Sequence, residues 1–400
     1  MSLEDAFKPG TLRGLTLRNR ILKAATFEGK TPGGVPGEDY LRFHQGILEG
    51  GAAMTTLAYC ASEADGRISP HMMAMDEAAR EPLTQIISAL KGRGGAVSGQ
   101  LVHCGGFSRN GDLQRLKRPL GPSWKINAAG ITEGIPFTGA MNLDDIEMFK
   151  STFAEAAAFM KAVGFDAIEL HFGHGYGLGQ FLSPKTNHRN DAYGGSLTKR
   201  LRLPLDVLSL VRTVVGDDMP ILAKLSLTEG VKGGIEEGEA IETAVALSDN
   251  GADLIIPSGG SSSFNPMLMF RGESFLKGLV AQEQSRVLRL GLRLAGGAIF
   301  KPYPYEPTYF LEAAGRLKDQ VSCPVAYIGG CATGQDLSCI LDAGFDYVQL
   351  GRALIADPTW PQKVEADASH QSPCNHCNRC VPLIDAPGGI QCVLGTSGQN

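Results

Sequence analysis

The sequence lacks the features that mark several large classes of protein. It has 37 Lys and Arg against 42 Asp and Glu, a formal net charge of -5, so the basic surplus that nucleic-acid binding requires is missing. No apolar run reaches the roughly 20 residues of a membrane-spanning helix. The first residues, MSLEDAFKPG, are acidic and polar, unlike a secretory signal peptide. We therefore expect a soluble, cytoplasmic protein that contacts neither nucleic acid nor membrane.

A further absence concerns the fold. No G-x-G-x-x-G motif follows the first predicted strand, which counts against a doubly wound dinucleotide-binding sheet. The chain instead alternates short apolar runs with amphipathic stretches such as 144–164, as parallel strands joined by helices do. Eight such strands close into a barrel, so the sequence predicts an α/β protein with a single (β/α)8 TIM barrel. The predicted strands are 20–25, 52–58, 96–103, 166–171, 220–226, 253–257, 324–328 and 347–350.

Two long segments interrupt this alternation. Residues 104–143 follow the third predicted strand and residues 259–304 follow the sixth. Long βα segments lie over the C-terminal mouth of a barrel, where lids and pockets form, although each could instead pack a small core of its own on the surface. We therefore divide the chain into a barrel with long βα insertions over residues 1–365 and a cysteine-rich tail over residues 366–400.

Glycine-rich motifs end the last two predicted strands, in YIGGCATGQD and YVQLGRALIADP. The loops after strands seven and eight form the usual phosphate site of a TIM barrel, because glycine lets backbone N–H groups approach an anion. Arg352 adds a bidentate donor. We interpret Gly329, Gly330, Gly351 and Arg352 as a phosphate site; the alternative is that the glycines only make tight turns.

Polar side chains also end the central strands. Gln100 and His103 stand in GQLVHCGG, where we expect both to face the mouth, and a glutamine amide suits the paired donor and acceptor of a heterocycle. Lys224 ends another strand, and a buried ammonium group needs an anionic partner. An anionic ring, a phosphate or the carboxylate of Glu169 could be that partner.

The most informative stretch is IELHFGHGYGLGQFLSP, residues 168–184. Strand alternation places Glu169 and His171 on one face, so His171 ends its strand in the mouth, and the glycines carry His174 and Tyr176 over the same space. These glycines disfavour the helix that a zincin-like histidine pair requires, and no carboxylate stands at ligand spacing. Two neutral imidazoles can instead donate to one carbonyl oxygen while a tyrosine delivers a proton. The alternative is a pair of core histidines.

These motifs together resemble the Old Yellow Enzyme family of FMN-dependent ene-reductases. The similarity is carried by IELHFGHGYGLGQFLSPKTNHRNDAYGGSLTKRLR and continues through LRNRILKAAT, GQLVHCGG, LAKLS, YIGG and VQLGRALIADP, over most of residues 5–365. The tail motif CNHCNRCVPLIDAPGGIQC is similar to that of the larger branch, which includes 2,4-dienoyl-CoA reductase and trimethylamine dehydrogenase.

The resemblance implies that FMN binds at the barrel mouth, with its phosphate at the glycine and arginine site. It places Gln100 at the pyrimidine edge of the flavin and Lys224 at N1 and O2, where many members use arginine. Ala25 and Thr26 belong to the implied cofactor-binding residues. Ala25 stands where relatives carry proline, and Phe27 stands where they carry a hydrogen-bonding Thr or Cys, so the flavin potential is expected to differ.

The resemblance also implies the chemistry. His171 and His174 would hold the carbonyl of a small-molecule substrate, His103 would be a further substrate contact, and Tyr176 would donate the proton. NAD(P)H would reduce FMN, and an activated alkene would then take a hydride from N5 at its β-carbon and a proton at its α-carbon. Gly106 stands where some branches carry arginine, so a substrate or phosphate contact is missing there.

Four cysteines crowd the tail with the spacing C-x2-C-x2-C-x11-C: Cys374, Cys377, Cys380 and Cys392. Four thiolates at such spacing are typical of iron–sulfur centres and, in a cytosolic chain, indicate metal binding before disulfides. An iron–sulfur cluster or zinc is one interpretation, and reduced thiols in a folded tail are the other.

Two other functions stay open at this point. An FMN-dependent amine dehydrogenase or demethylase would use the same cofactor to oxidise C–N bonds. A phosphate-binding barrel lyase would use Lys224 to form a Schiff base. The sequence leaves the natural substrate, the choice between NADH and NADPH, and homo-oligomer formation undecided.

Overall fold

The predicted strands form one parallel barrel in the computed structural model, which describes residues 2–283 and 285–394. Each strand pairs with the next one along the chain and the eighth pairs with the first, while a bridge between Ile255 and Val325 joins the sixth to the seventh. The (β/α)8 prediction is therefore confirmed. The barrel strands are β1 (Ile21–Lys23), β2 (Met54–Ala61), β3 (Ala96–Val102), β4 (Ala167–His171), β5 (Ile221–Ser226), β6 (Leu254–Ser258), β7 (Ala326–Ile328) and β8 (Tyr347–Leu350).

Helices follow the strands around the outside of the barrel. Sequence signals set several of their ends. Asn142 and Thr333 form capping boxes at the starts of the helices Leu143–Val163 and Gly334–Asp342, and Gly164 ends the first of these with φ 98°. No helix among the described residues is both long enough and apolar enough to cross a membrane. The barrel helices are α1 (Glu38–Glu49), α2 (Glu77–Lys91), α3 (Leu143–Val163), α4 (Leu197–Val215), α5 (Glu237–Asp249), α6 (Leu311–Lys318), α7 (Gly334–Asp342) and α8 (Trp360–Ala366), with short helices Gly177–Leu182 and Arg352–Ala356 directly after β4 and β8.

An apolar layer fills the base of the barrel. It combines inward-facing residues of the strands with Leu12 and Leu17, which come from an N-terminal hairpin (Gly10–Leu12 and Leu15–Leu17). Each large aliphatic side chain buried here contributes about 1.5–3 kcal/mol. Because this layer fills the base, the polar residues that follow on the same strand faces lie above it, at the mouth. The strand residues of the layer are Leu22, Met54, Ala96, Ala167, Leu222, Leu254, Ile256, Ala326 and Tyr347.

Both predicted insertions contain regular structure. The first holds a small sheet of three strands around a 3-10 helix, and the second holds two α-helices after a 3-10 turn. Further short elements lie at Leu3–Phe7, Pro32–Gly34, Ala64–Gly66, Met73–Ala74 and Val381–Asp385. The insertion elements are Leu120–Gly121, Lys125–Ile126, Ala128–Glu133 and Phe137–Ala140 in the first, and Pro266–Leu268, Leu276–Gln282 and Arg286–Ile299 in the second.

The tail packs back against the mouth side of the barrel. The Ile390 amide donates to the Glu28 carbonyl at 2.7 Å, and Asp385 pairs with Arg109 of the first insertion. Asn378 donates to the Glu273 carbonyl of the second insertion at 2.8 Å. The tail therefore joins the β1 loop to both insertions, while the division at residues 365 and 366 stays a prediction.

Candidate active site

Two buried histidines meet at the end of β4. His171 Nε2 and His174 Nδ1 lie 2.8 Å apart, and His174 Nε2 lies 2.9 Å from the Ser258 hydroxyl. The His174 amide donates to Ser226 Oγ at 2.9 Å, which fixes this residue in the left-handed region at φ 57°. The structure thus brings the predicted pair together and anchors it to β5 and β6.

Burial keeps both imidazoles neutral. It lowers the pKa of His171 well below 6.5 and that of His174 to about 3, and the nearby ammonium of Lys224 acts in the same direction. Both ring nitrogens of His174 have partners, whereas His171 Nδ1 is buried without one in the described part of the chain. His171 Nδ1 is therefore the polar atom of the pair that a ligand can engage directly.

Tyr176 lies beside this pair. Its ring centroid is 4.8 Å from that of His171, and its hydroxyl lies 3.4 Å from the hydroxyl of Tyr59. Burial raises the pKa of Tyr176 to about 12, so the phenol stays protonated at neutral pH. Sequence reasoning missed Tyr59, although its place near the end of β2 puts it at the same mouth.

An aromatic wall surrounds the two tyrosines. Phe27 stacks on Tyr59 with centroids 5.4 Å apart and planes 12° apart. Phe107, from the first insertion, lies 5.8 Å from Tyr176. Phe27 thus has a packing role here that positions Tyr59.

Glu169 holds the polar mouth together. Its carboxylate accepts hydrogen bonds from Gln100 at 2.6 Å and Gln349 at 2.8 Å. Lys224 Nζ lies 2.7 Å from Glu169 Oε1, although not in good hydrogen-bond geometry. Glu169 is therefore the buried anionic partner considered for Lys224. Gln349 was missed, although alternation in YVQL places it on the inward face with Tyr347.

These groups fit the edge of a flavin ring. Among the described residues, Gln100 Oε1, Gln349 Oε1 and Lys224 Nζ are buried without a hydrogen-bond partner. Such atoms are costly in a folded protein unless a ligand or water satisfies them. A heterocycle with alternating donors and acceptors, such as an isoalloxazine, matches a glutamine oxygen and an ammonium group side by side.

The predicted phosphate residues lie on the loops that follow two adjacent strands. Ile328 of β7 pairs with Gln349 of β8, so the loops that carry Gly329, Gly330, Gly351 and Arg352 leave the barrel side by side. Gly329 and Gly330 have φ of 128° and 77°, conformations that favour glycine.

Two arginines lie near these glycines. Arg352 Nη1 donates to the Arg271 carbonyl at 2.9 Å and to Asn378 Oδ1 at 2.5 Å. The guanidinium of Arg271 lies 4.7 Å from the Tyr309 ring, and its buried Nε has no partner. Arg271 belongs to the second insertion, so the alternation of side chains along the strands does not predict its position.

Ala25 and Thr26 lie on the loop after β1. Lys23 donates to Thr26 Oγ1 at 2.7 Å, and Thr26 donates to Glu28 Oε1 at 2.8 Å. A β-carbon placed on Gly351 would lie 3.9 Å from the Thr26 methyl group. The loop is thus fixed next to the predicted phosphate site by a fully buried Lys23–Glu28 ion pair.

His103 is not brought to the histidine pair. Its ring packs 4.8 Å from Phe149 of α3, and its Nε2 lies 3.3 Å from Glu63 Oε1. Gln100 and His103 are three residues apart in an extended segment, so they point to opposite faces. In the described part of the chain, His103 has no side-chain contact with His171, His174 or Tyr176 that would support the predicted substrate role.

The four tail cysteines line one small cavity of about 20 Å³. Burial raises the pKa values of the Cys374 and Cys380 thiols, the latter to about 11. Within residues 2–283 and 285–394, no group of three or more His, Cys, Asp or Glu side chains already has metal-ligating geometry. The cysteines thus converge on a common space without forming a ready-made metal site.

A parallel (β/α)8 barrel with a buried polar edge that suits a flavin ring is the architecture of TIM-barrel flavin oxidoreductases. The chain belongs to the NADH:flavin oxidoreductase / NADH oxidase family, whose model matches residues 5–262. It is therefore an FMN-dependent oxidoreductase that uses a nicotinamide nucleotide, and the barrel lyase alternative falls away.

Comparison with individual proteins agrees with this family. The chain is 37% identical over 391 residues to 4,4'-dithiodibutanoate disulfide reductase of Rhodococcus erythropolis, covering 97% of this chain and 94% of the relative. It is 28% identical to NADH oxidase of Thermoanaerobacter brockii, covering 99% of this chain but only 54% of that protein. Morphinone reductase in complex with tetrahydroNAD shares the fold, with a TM-score of 0.71, 22% identity and 93% coverage of both chains. The chain thus spans nearly all of one similar relative and about half of another.

Proposed function

We propose that this protein reduces the C=C bond of activated alkenes, such as α,β-unsaturated carbonyl compounds, at the expense of NAD(P)H. The observation that carries the proposal is the pair of neutral imidazoles with an unpaired His171 Nδ1, set 4.8 Å between ring centroids from a protonated tyrosine. A hydrogen-bond donor and an adjacent acid are what an enone requires, since its carbonyl gains negative charge as its β-carbon takes hydride.

Each residue has a defined part in this proposal. FMN, held by Gln100, Lys224 and the β7 and β8 loops, supplies hydride transfer when bound. His171 Nδ1 donates to the substrate carbonyl. His174 sets the tautomer of His171 through their shared hydrogen bond, and it can join the clamp only by giving up its bond to His171 or Ser258. Tyr176 Oη transfers its proton to the α-carbon and is reprotonated from Tyr59 or solvent.

Replacing both histidines with alanine tests the proposal. In the variant His171→Ala/His174→Ala, FMN should remain bound and NAD(P)H should still reduce it, while cyclohexenone reduction falls by about 10²–10³-fold or more. The exposed His188 provides the control, and His188→Ala should behave like the wild type. Enone reduction that survives in the double variant would show that the clamp is wrong.

Disulfide reduction is the second candidate function. It is supported by the 37% identity to the Rhodococcus disulfide reductase over nearly the whole of both chains. The reaction consumes one NADH, one proton and one disulfide and releases NAD⁺ and two thiols. Tyr176 could protonate the leaving thiolate here as it would a carbanion. Anaerobic incubation with NADH and 4,4'-dithiodibutanoate should then yield two thiols for each NADH oxidised, and a lack of thiols would rule this candidate out.

We also propose that the four tail cysteines hold an iron–sulfur cluster or zinc. The support is their shared cavity and the C-x2-C-x2-C-x11-C spacing, which suit either group once thiolates replace thiols. Iron, sulfide and zinc analysis of anaerobically purified protein tests this, with Cys374→Ser/Cys377→Ser as the matched variant. Protein without any of the three elements would leave reduced thiols as the correct interpretation.

Amine oxidation is the rival use of the same cofactor, and the use of a nicotinamide nucleotide by this family counts against it. Under that function an amine substrate would bleach the flavin without NAD(P)H. Anaerobic addition of NADH, followed by cyclohexenone, distinguishes the two because only alkene reduction requires both colour changes in that order.

A further inference from the structure

Two lysines converge on one phenyl ring at the mouth. Lys125 Nζ lies 5.9 Å and Lys185 Nζ 5.2 Å from the centroid of Phe264. Lys125 belongs to the first insertion, Phe264 to the second and Lys185 to the segment after β4. Because three separate segments bring two like charges to one ring, the folded chain creates a local positive potential that no single segment carries.

Neither ammonium group has an anionic partner at contact distance within residues 2–283 and 285–394. Among the described residues, no carboxylate lies within 4.0 Å of Lys125 Nζ or Lys185 Nζ. The remaining partner of Lys185 is the Lys232 carbonyl at 3.3 Å. Burial lowers the pKa of Lys125 to about 8, with only the more distant charge of Glu229 opposing this. A half-buried ammonium without a counter-ion is a position at which an anionic ligand group is stabilising.

Glu229 is the carboxylate that faces these lysines, and its contacts lie elsewhere. Its Oε2 accepts from Ser183 Oγ at 2.6 Å and from the Ile235 amide at 3.0 Å. Burial raises its pKa, which weakens its competition for the lysines. Glu229 therefore supports its own loop and leaves both ammonium groups available.

The lysine pair is connected to the active site through short contacts. The Lys125 Cε atom lies 3.4 Å from where a β-carbon on Gly106 would be. The aliphatic part of the Lys125 side chain therefore occupies the space that a side chain at position 106 would fill. The Gly106 amide donates to Gln180 Oε1 at 2.9 Å, and Gln180 donates to the Gly175 carbonyl at 2.8 Å. Gly175 joins His174 to Tyr176.

Phe264 makes the connection from the other side. The Ser262 amide donates to the His174 carbonyl at 2.9 Å. Phe264 follows two residues later, on the turn closed by its amide and the Ser261 carbonyl. Both sides of the lysine pair are thus fixed relative to the proposed proton donor.

We propose that Lys125 and Lys185, aligned by Phe264, form a subsite that binds a carboxylate of the electron-accepting substrate. This inference rests on the proposed function, because it assumes that the acceptor occupies the mouth beside Tyr176. It specifies the substrate class: an alkene or disulfide with an anionic carboxylate remote from the reacting bond. A phosphate of the nicotinamide nucleotide has similar chemistry, and the experiment separates these two sources.

A pair of matched substrates tests the subsite: 3-(3-oxocyclohex-1-enyl)propanoate and its methyl ester. We expect the wild type to have the lower KM for the acid. Lys125→Met should raise the KM for the acid by about tenfold or more, leave the ester unchanged and keep FMN content and Tm. Lys125→Arg should retain the preference, and Lys117→Met, at an exposed lysine of the same insertion, should not alter it.

Two outcomes would overturn the subsite. One is an unchanged ratio of acid to ester KM in Lys125→Met. The other is a raised KM for NADPH with the acid unaffected, which would assign the cation to the coenzyme phosphate. If the wild type reduces neither compound, the alkene-reductase function fails instead. The subsite is then tested by the binding of the saturated acid, measured through the change in flavin absorbance. Lys125→Met should weaken this binding, and an unchanged Kd would refute the subsite.

Discussion

The barrel strands and the segments that cover them hold their polar groups in opposite ways. Within the barrel, Glu169 of β4 has three polar partners within 2.8 Å and is fully buried. The covering segments are the two insertions (residues 104–143 and 259–304) and the tail, together called the cover. In the cover, Lys125 is half-buried and has no anion at contact distance in the described chain. The strand ends are thus organised before any ligand arrives, whereas the cover presents charge to whatever enters. We infer that the strands determine the reaction and the cover determines which molecule undergoes it.

The largest effect should come from the proton donor at the strand end. Tyr176→Phe removes the hydroxyl but keeps the ring, so we expect the oxidative half-reaction to slow by about 10²–10⁴-fold. Reduction of the flavin by NADH should not change. Stopped-flow measurement of each half-reaction checks this. Tyr59→Phe is the matched control, with less than about tenfold loss if Tyr59 only relays protons; equal losses would make Tyr59 the donor.

The next effect concerns stability. Glu169→Gln keeps the shape but leaves Lys224 buried without its anion, which should lower the free energy of unfolding by about 3–5 kcal/mol. Glu312→Gln removes the i,i+4 partner of Arg316 on the exposed face of α6 and should cost about 0–1 kcal/mol. Urea unfolding of both variants gives the comparison. Similar losses of unfolding free energy in the two variants would mean that water reaches the barrel mouth and that the Glu169–Lys224 pair behaves like a surface ion pair.

A smaller effect should appear with pH. The pKa of His174 is about 3 in the folded protein against 6.5 when exposed, so below pH 6.5 the unfolded chain binds a proton that the folded chain does not. Stability should therefore fall as pH drops through this window, by about 1.4 kcal/mol per pH unit for each such histidine. His174→Asn should reduce the slope of unfolding free energy against pH, and His188→Asn should not. Equal slopes in wild type and His174→Asn would show that His174 titrates normally.

The smallest effect is expected in the cover. Val287 and Leu294, on the second helix of the second insertion, are each 79% exposed. Val287→Lys/Leu294→Lys should therefore change the free energy of unfolding by no more than about 0.5 kcal/mol per site. Thermal unfolding provides the measurement. A loss above about 1 kcal/mol would show that this face is covered in solution and would weaken the contrast between cover and barrel.

The strand-borne part of the site could be predicted because alternation relates side chains along a strand. Once β4 was recognised, Glu169 and His171 had to share the inward face, and the glycines left His174 and Tyr176 above it. The same rule would have found Gln349 and would have turned His103 away from Gln100. The two side chains point apart because the residues at one strand end alternate between two faces.

The cover could not be predicted in the same way. Lys125 meets Phe264, and Arg352 meets Asn378, although these partners lie in separate segments of the chain. No periodicity of 2 or 3.6 residues connects such partners, because their meeting depends on how whole loops fold over the barrel. Composition and motif spacing therefore gave the extent of the insertions but none of their contacts.

His174 occupies a backbone conformation that glycine adopts more readily, as the neighbouring Gly175 does at φ 77°. A left-handed conformation costs a residue with a side chain roughly 1 kcal/mol. A glycine at position 174 would avoid this cost, but it would remove the imidazole that contacts His171 and Ser258. Under the proposed function, the turn therefore accepts a backbone cost of this size in order to place the second imidazole beside the first.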